Sequence, residues 1–201
     1  MKNIQLFVTE RSACDSRQEM REMLIKSAAW VYGVPKSVIE GENILRTAKG
    51  KPYFEKLKLH FSITHTANLW GCLLAPSSCG VDIEYIRPCN FEKIAGRFFS
   101  ENEIKYVKEE GTKGFFDIWT AREAYGKYTG EGFFGETPEL VSSEGVLKEV
   151  VTGCHNNGEK VRFEKIALKD NVVCTVCINE KDWKPVVVKK EWNYEDYLSF
   201  R

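Results

Sequence analysis

The stretch from Phe115 to Thr129 constrains the fold more than any other part of this sequence. It is the clearest helix in the chain, stopped by Gly130 and Gly132, with Gly111 and a turn over 112–114 ahead of it. Around it the candidate elements are short. Met1 to Glu10 alternates like a strand through Ile4, Leu6 and Val8. Leu59 to Ile63, Leu69 to Ala75 and Cys79 to Ile86 read as strands, the first ending at Thr64-His65. After Gly135 the pattern is again β, with strands expected at Val146–Val151, Lys160–Leu168 and Val172–Asn179. Two further helices are expected. One runs from Arg17 to Tyr32, with Met20, Met23, Leu24, Ala28 and Val31 as its apolar stripe and Gly33 and Pro35 ending it. A short one covers Phe91 to Phe99. Ser100 with Glu103 then forms a capping-box pattern that starts a helix stopped by Gly111. Asn43 to Phe54 reads as a basic loop. Trp183, Trp192, Tyr194 and Tyr197 mark a C-terminal tail, 183–201, expected to pack across the body.

The 201 residues are 43% hydrophobic and 12% aromatic, enough for one large domain or two small packed halves. Lys+Arg and Asp+Glu both number 29, which argues against a general nucleic-acid binder while leaving room for a local basic pocket. No apolar run approaches the roughly 20 residues of a membrane span. The first residues lack the apolar stretch of a signal peptide, so a cytoplasmic location is expected. Seven cysteines, an odd number, do not suggest a disulfide framework. Cys174 and Cys177 have metal-pair spacing, but on a strand residues three apart point to opposite faces, so buried free thiols are expected.

Three patterns carry chemistry. In Gly80-Val81-Asp82-Ile83-Glu84, Asp82 and Glu84 share one strand face about 6–7 Å apart. They can lean on one hard cation such as Mg2+, which uses one or two carboxylates plus substrate phosphates. The bland alternative is a solvated acidic edge. In Trp119-Thr120-Ala121-Arg122-Glu123-Ala124-Tyr125-Gly126-Lys127, Glu123 continues the apolar stripe of Phe116 and Trp119, and Lys127 lies one turn on. An inward carboxylate needs a compensating charge. The alternative is a surface Glu–Lys pair of about 0.3–0.5 kcal/mol. Third, the basic loop with Lys51-Pro52, followed by Phe61-Ser62-Ile63-Thr64-His65, offers a lysine and a histidine for phosphates, or else a solvated loop and a structural histidine.

In this order the patterns resemble the 4'-phosphopantetheinyl transferases, most closely the larger single-chain type that activates peptide, polyketide and fatty acid carrier proteins. The matching stretches are Leu45 to Pro52, Phe61 to His65, Gly80 to Glu84, Arg97-Phe98-Phe99-Ser100, and Phe116 to Lys127. The resemblance implies an α+β pseudo-dimer of two similar halves, each a small, mainly antiparallel sheet with a long helix, and a cleft between them. The halves would be 1–88 and 89–182. It implies that Asp82, Glu84 and Glu123 hold Mg2+, with Mn2+ able to substitute. His65 and Lys51 would hold coenzyme A phosphates, and Arg46 and Arg17 its nucleotide end. Thr64, counted with these among the coenzyme A-binding residues, stands where the family often has serine. Larger members carry a further basic segment before the first helix; with Arg17 already in that helix, the adenylate grip is expected to be looser or supplied differently. The implied reaction moves phosphopantetheine from coenzyme A to a serine of an apo carrier protein and releases 3',5'-ADP. Glu123, or a water on the metal beside it, takes the serine proton, and Lys127 faces a phosphate oxygen. A monomer that binds neither nucleic acid nor membrane is expected. The rival readings are the small trimeric holo-acyl-carrier-protein synthase class, a catalytically silent relative that binds carrier proteins, and a metal-dependent nucleotide hydrolase.

Overall fold

In the computed structural model the described residues are 4–10, 17–154, 158–182 and 184–189. They form ten strands and four helices in an α+β arrangement. In chain order these are β1 (Gln5–Glu10), α1 (Arg17–Tyr32), α2 (Lys36–Glu40), β2 (Ile44–Arg46), β3 (Pro52–Phe54), β4 (Leu59–Thr66), β5 (Leu69–Ala75) and β6 (Cys79–Tyr85). Then follow α3 (Phe91–Phe98), α4 (Glu101–Thr129), β7 (Val150–Thr152), β8 (Lys160–Lys165), β9 (Val172–Asn179) and β10 (Val186–Lys189). No described helix is long and apolar enough to cross a membrane.

The strands build two sheets. One has the order β10-β1-β5-β4-β3-β2, antiparallel except for the β1–β10 pair; the other is antiparallel, β6-β9-β8-β7. Period-two alternation sorts the side chains into cores. Phe7, Trp70, Cys72 and Leu74 of the first sheet pack with Leu24, Ile25, Ala28 and Ala29 of α1. Their neighbours Leu6, Leu69 and Leu73 face the second sheet, meeting Val81, Ile83, Cys174 and Val176. The opposite face of the second sheet, with Phe163 and Cys177, packs against Phe116, Ala121, Ala124 and Tyr125 of α4. The layers therefore run helix, sheet, sheet, helix. Cys174 and Cys177 fall in different cores as free, buried thiols, as the strand geometry requires.

α4 begins on the expected capping box. Ser100 Oγ accepts from the Glu103 amide at 3.2 Å, and Glu103 accepts from the Ser100 amide at 3.0 Å. The fully buried Glu103 is compensated by Arg122 at 2.9 Å. Gly111 breaks the helical backbone at φ 64°, ψ −146°, but the chain resumes helix at once, so residues 112–114 are helical rather than a turn. Gly130 caps the end in the left-handed region, φ 84°.

Several boundaries differ from the sequence reading. The basic stretch 43–54 holds a short hairpin, β2–β3, whose turn closes with the Thr47 and Lys51 backbones paired. The helix α2 was not expected. β4 continues through Thr64 and His65 to Thr66, because it pairs with β5 as far as Leu69. The strand expected from Val146 contracts to Val150–Thr152: Leu147 instead bridges Val141, which ties that segment to the loop after α4. Trp183 and residues 190–201, most of the expected tail, lie outside the described residues; 186–189 form β10 against β1.

Candidate active site

The two sheets meet where β4 runs alongside β6, the edge strand of the second sheet. No backbone ladder joins them. Three hydroxyls on one face of β4 do so instead. Ser62 Oγ accepts from the Val81 amide at 3.1 Å, and Thr64 Oγ1 accepts from the Ile83 amide at 3.3 Å. Thr64 Oγ1 also donates to Asp82 Oδ1 at 2.9 Å, and Thr66 Oγ1 donates to Glu84 Oε2 at 3.1 Å. Otherwise orphaned edge amides are thereby satisfied by side chains. Gly71, across from Thr64 on β5, makes room for the join: a Cβ there would lie 2.7 Å from Ile83 Cδ1.

Helix α4 crosses β6 on the other side, and Gly80 sets how closely. A Cβ on Gly80 would lie 1.8 Å from the carbonyl oxygen of Ala124. This contact brings the last turns of α4 down onto the carboxylate face of β6. Lys127 Nζ reaches Asp82 Oδ1 at 2.7 Å and the Val81 carbonyl at 3.0 Å. Asp82 is 5% exposed, and its Oδ2 is buried with no hydrogen-bond partner. Burial pushes its carboxyl above the usual range, against the opposing pull of Lys127 and Thr64. Glu84 Oε2 takes a second partner, Arg87 Nη1 at 2.8 Å, and the Arg87 guanidinium also lies over the Phe116 ring, 5.6 Å from its centroid. Glu123, half-buried on α4, has its carboxyl raised by burial and by Asp82 and Glu84, with Lys127 opposing. Asp82 and Glu123, both held above the usual carboxylate range with Glu84 beside them, are suited to a shared cation.

The fit to a divalent metal is good at Asp82, whose unpartnered buried oxygen needs a positive partner. Glu84, on the same strand face, is suited to the same ion. Among the described residues, however, no three such side chains are already gathered as a ligand set, so Glu123 is coupled to the pair electrostatically rather than converged with it.

Beside these groups lies an open cavity of about 340 Å³. Its lining includes Lys51, Ser62, Lys127, Gly126, Gly130 and Gly132. The glycines have a reason: a Cβ on Gly126 would lie 2.4 Å from the Gly132 carbonyl, and one on Gly130 would lie 2.7 Å from the Lys49 carbonyl. The loop after α4 therefore folds back onto the helix and against the β2–β3 turn, and a Lys49–Glu131 ion pair at 2.7 Å fastens it.

The expected residues separate into groups. Asp82, Glu84, Lys127 and Thr64 are brought together, with Glu123 coupled to them only electrostatically from α4. Lys51 lines the adjoining cavity but is 4% exposed, and its ammonium donates to the Cys79 carbonyl; burial lowers its pKa. Arg46 is exposed on β2 and donates to the Gly50 carbonyl at 2.7 Å. His65 is exposed on the face of β4 that carries Phe61 and Ile63, opposite Thr64 and the carboxylates. Arg17 begins α1, and its side chain lies outside the described residues. The surface Glu123–Lys127 pair is not formed; Lys127 turns to Asp82 instead. Ser62, Thr66 and Arg87 were missed. The available signal was the period-two run of hydroxyls at 62, 64 and 66, a match in spacing for the carboxylates at 82 and 84.

The family model described as the 4'-phosphopantetheinyl transferase superfamily matches residues 78–177, from β6 to β9. The chain is 32% identical over 167 residues to the 4'-phosphopantetheinyl transferase gsp of Aneurinibacillus migulanus, covering 80% of this chain and 68% of that protein. It is 30% identical over 157 residues to the 4'-phosphopantetheinyl transferase HetI of a Nostoc species, covering 73% and 63%. It is 35% identical over 88 residues to the 4'-phosphopantetheinyl transferase Sfp of Bacillus subtilis, covering 41% and 39%.

Proposed function

The chain belongs to the 4'-phosphopantetheinyl transferase superfamily, and from that premise we propose that it transfers the 4'-phosphopantetheine arm of coenzyme A to a serine of an apo acyl or peptidyl carrier protein. The observation that carries this reading is the meeting of Asp82 and Glu84 on β6 with Glu123 and Lys127 on α4, beside a cavity with two lysines on its wall. Asp82 and Glu84 would hold Mg2+, with Glu123 as a third ligand, and Mn2+ could substitute. When bound, the ion neutralises charge on the pyrophosphate.

The rest falls to the protein. The serine oxygen forms a bond to the β-phosphorus, the bond from that phosphorus to the bridging oxygen breaks, and 3',5'-ADP leaves with the electron pair. Phosphoryl transfers of this kind depend on positioning and charge stabilisation. Glu123, or a water beside it, takes the serine proton; Glu123 lies on the helix facing β6. Lys127, 28% exposed and lining the cavity, stabilises charge that shifts toward the leaving group. Lys51 holds the pyrophosphate once its ammonium turns from Cys79 into the cavity. Thr64 acts through Asp82. His65 holds a coenzyme A phosphate, and Arg46 and Arg17 contact the nucleotide end. The halves 1–88 and 89–182 form the pseudo-dimer within one cytoplasmic monomer, although β6 hydrogen-bonds into the second sheet.

The test is direct. The protein is incubated with coenzyme A, Mg2+ and an apo carrier protein, and the carrier is weighed by mass spectrometry. A covalent phosphopantetheine increment with release of 3',5'-ADP is expected, lost in excess EDTA and lost in a folded Asp82→Ala variant. An unmodified carrier, or transfer undiminished by EDTA, refutes the reading.

A further inference from the structure

Asp82 and Glu84 are held by the same plan. On Asp82, Oδ1 takes the Thr64 hydroxyl at 2.9 Å and the Lys127 ammonium at 2.7 Å, while Oδ2 is buried and unpartnered. On Glu84, Oε2 takes the Thr66 hydroxyl at 3.1 Å and the Arg87 guanidinium at 2.8 Å, while Oε1 receives no hydrogen bond among the described residues. Each carboxylate thus has one oxygen tied by a β4 hydroxyl and a cation, and one oxygen left over. Both hydroxyls come from alternate residues of one strand and so lie on one face.

From this juxtaposition we infer that Thr66 and Arg87 are positioning residues which, with Thr64 and Lys127, restrict both carboxylates to one free oxygen each and thereby select a small octahedral cation over Ca2+. The inference rests on the proposed metal role of Asp82 and Glu84. Its chemistry is general. Ca2+ accepts six to eight oxygens and takes carboxylates in one- or two-oxygen fashion, whereas Mg2+ requires near-ideal octahedral geometry and uses one or two carboxylates. Tying one oxygen of each carboxylate removes the two-oxygen mode that favours the larger ion. Partners of ligating carboxylates of this kind are commonly worth 10–100-fold in metal affinity. Arg87 is 58% exposed, so its ion pair adds little to folding, and its effect is read at the metal.

The experiment titrates the full chain with Mn2+, followed by electron paramagnetic resonance, and separately with Ca2+ by calorimetry, with neither coenzyme A nor carrier protein present. The wild-type chain is expected to prefer Mn2+. Thr66→Val and Arg87→Gln are each expected to weaken Mn2+ binding by about tenfold or more, and Ca2+ binding less, so that the preference narrows. Thr66→Ser, which keeps the hydroxyl, should restore it. The inference is overturned if the wild-type chain binds no Mn2+, if the Val and Gln variants keep the wild-type preference or lose both ions equally, or if Thr66→Ser behaves like Thr66→Val. Arg87→Gln alters an exposed side chain, so the test survives if Thr66→Val fails to fold. Since no transfer is measured, this result and the carrier-modification assay can fail independently.

Discussion

At the scale of single residues, Lys127 shows how position decides role. Its sequence spacing from Glu123 offers a helical ion pair, yet the ammonium crosses to Asp82 because Gly80 brings β6 within reach. A group placed to meet charge that grows during transfer affects kcat more than KM. Lys127→Met is expected to lower kcat by about 10²–10³-fold, with KM for coenzyme A moving much less. Steady-state kinetics beside a melting curve checks this, and a variant that melts earlier but turns over normally would reduce Lys127 to a structural part. Lys51 gives a second residue-scale prediction. Burial lowers its pKa from the 10.5 of an ordinary lysine. Between the folded value and 10.5 the unfolded chain binds more protons, so stability rises with pH through that window. Below the folded value the cost is present in full. Lys51→Met is therefore expected to melt higher at neutral pH and to lose the alkaline rise in stability, while transfer activity falls. Denaturation curves at neutral and alkaline pH measure the first two, and the carrier assay the third.

At the scale of elements, local rules written in the sequence account for most of what formed. The Ser100–Glu103 box, the Gly111 break, the Gly130 cap and the bounds of β5 and β9 all follow from short-range chemistry, and they were legible. The carboxylate face of β6 was legible too, because period two depends on nothing distant. The hairpin β2–β3 was not: three-residue strands carry too little pattern, and Arg46, Lys49 and Lys51 resemble a solvated loop. Thr66 and Arg87 were hidden for another reason. Thr66 shows in the sequence only as one of the period-two hydroxyls, whose partner depends on β4 lying beside β6, and Arg87 lies past the end of β6, three residues from Glu84, where no strand period applies. His65 shows the converse, since a strand that continues to Thr66 turns it away from the carboxylates. The element-scale prediction concerns Gly80. A methyl there meets the Ala124 carbonyl, a backbone atom with no rotamer to change. Gly80→Ala is expected to cost at least about 3 kcal/mol, at the upper end for overpacking, as α4 lifts from β6. Chemical denaturation measures it, and an unchanged midpoint would mean that the helix can shift freely.

At the scale of the whole molecule, two sheets and the helix against the second bring the site's parts together within one chain. Asp82 and Glu84 come from the second sheet, Thr64 and Thr66 from the first, and Lys127 from the helix laid across. No second copy is needed to bring these groups together. Light scattering on the active protein should therefore give a monomer mass; a trimer whose activity disappears on dilution would place part of the site between subunits.

The hydroxyls of Ser62, Thr64 and Thr66 give the join between the sheets a different kind of inheritance from a β-ladder. A ladder of amides and carbonyls is nearly blind to mutation, because almost any residue supplies the same backbone groups. This join is spelled in side chains, so a single codon change can delete one of its contacts. Two of its three hydroxyls also touch the carboxylates, and a lineage that altered them would change how its sheets meet and which ion it favours in the same step. Architecture and metal preference would then drift together in descendants of this protein, rather than as separately adjustable traits.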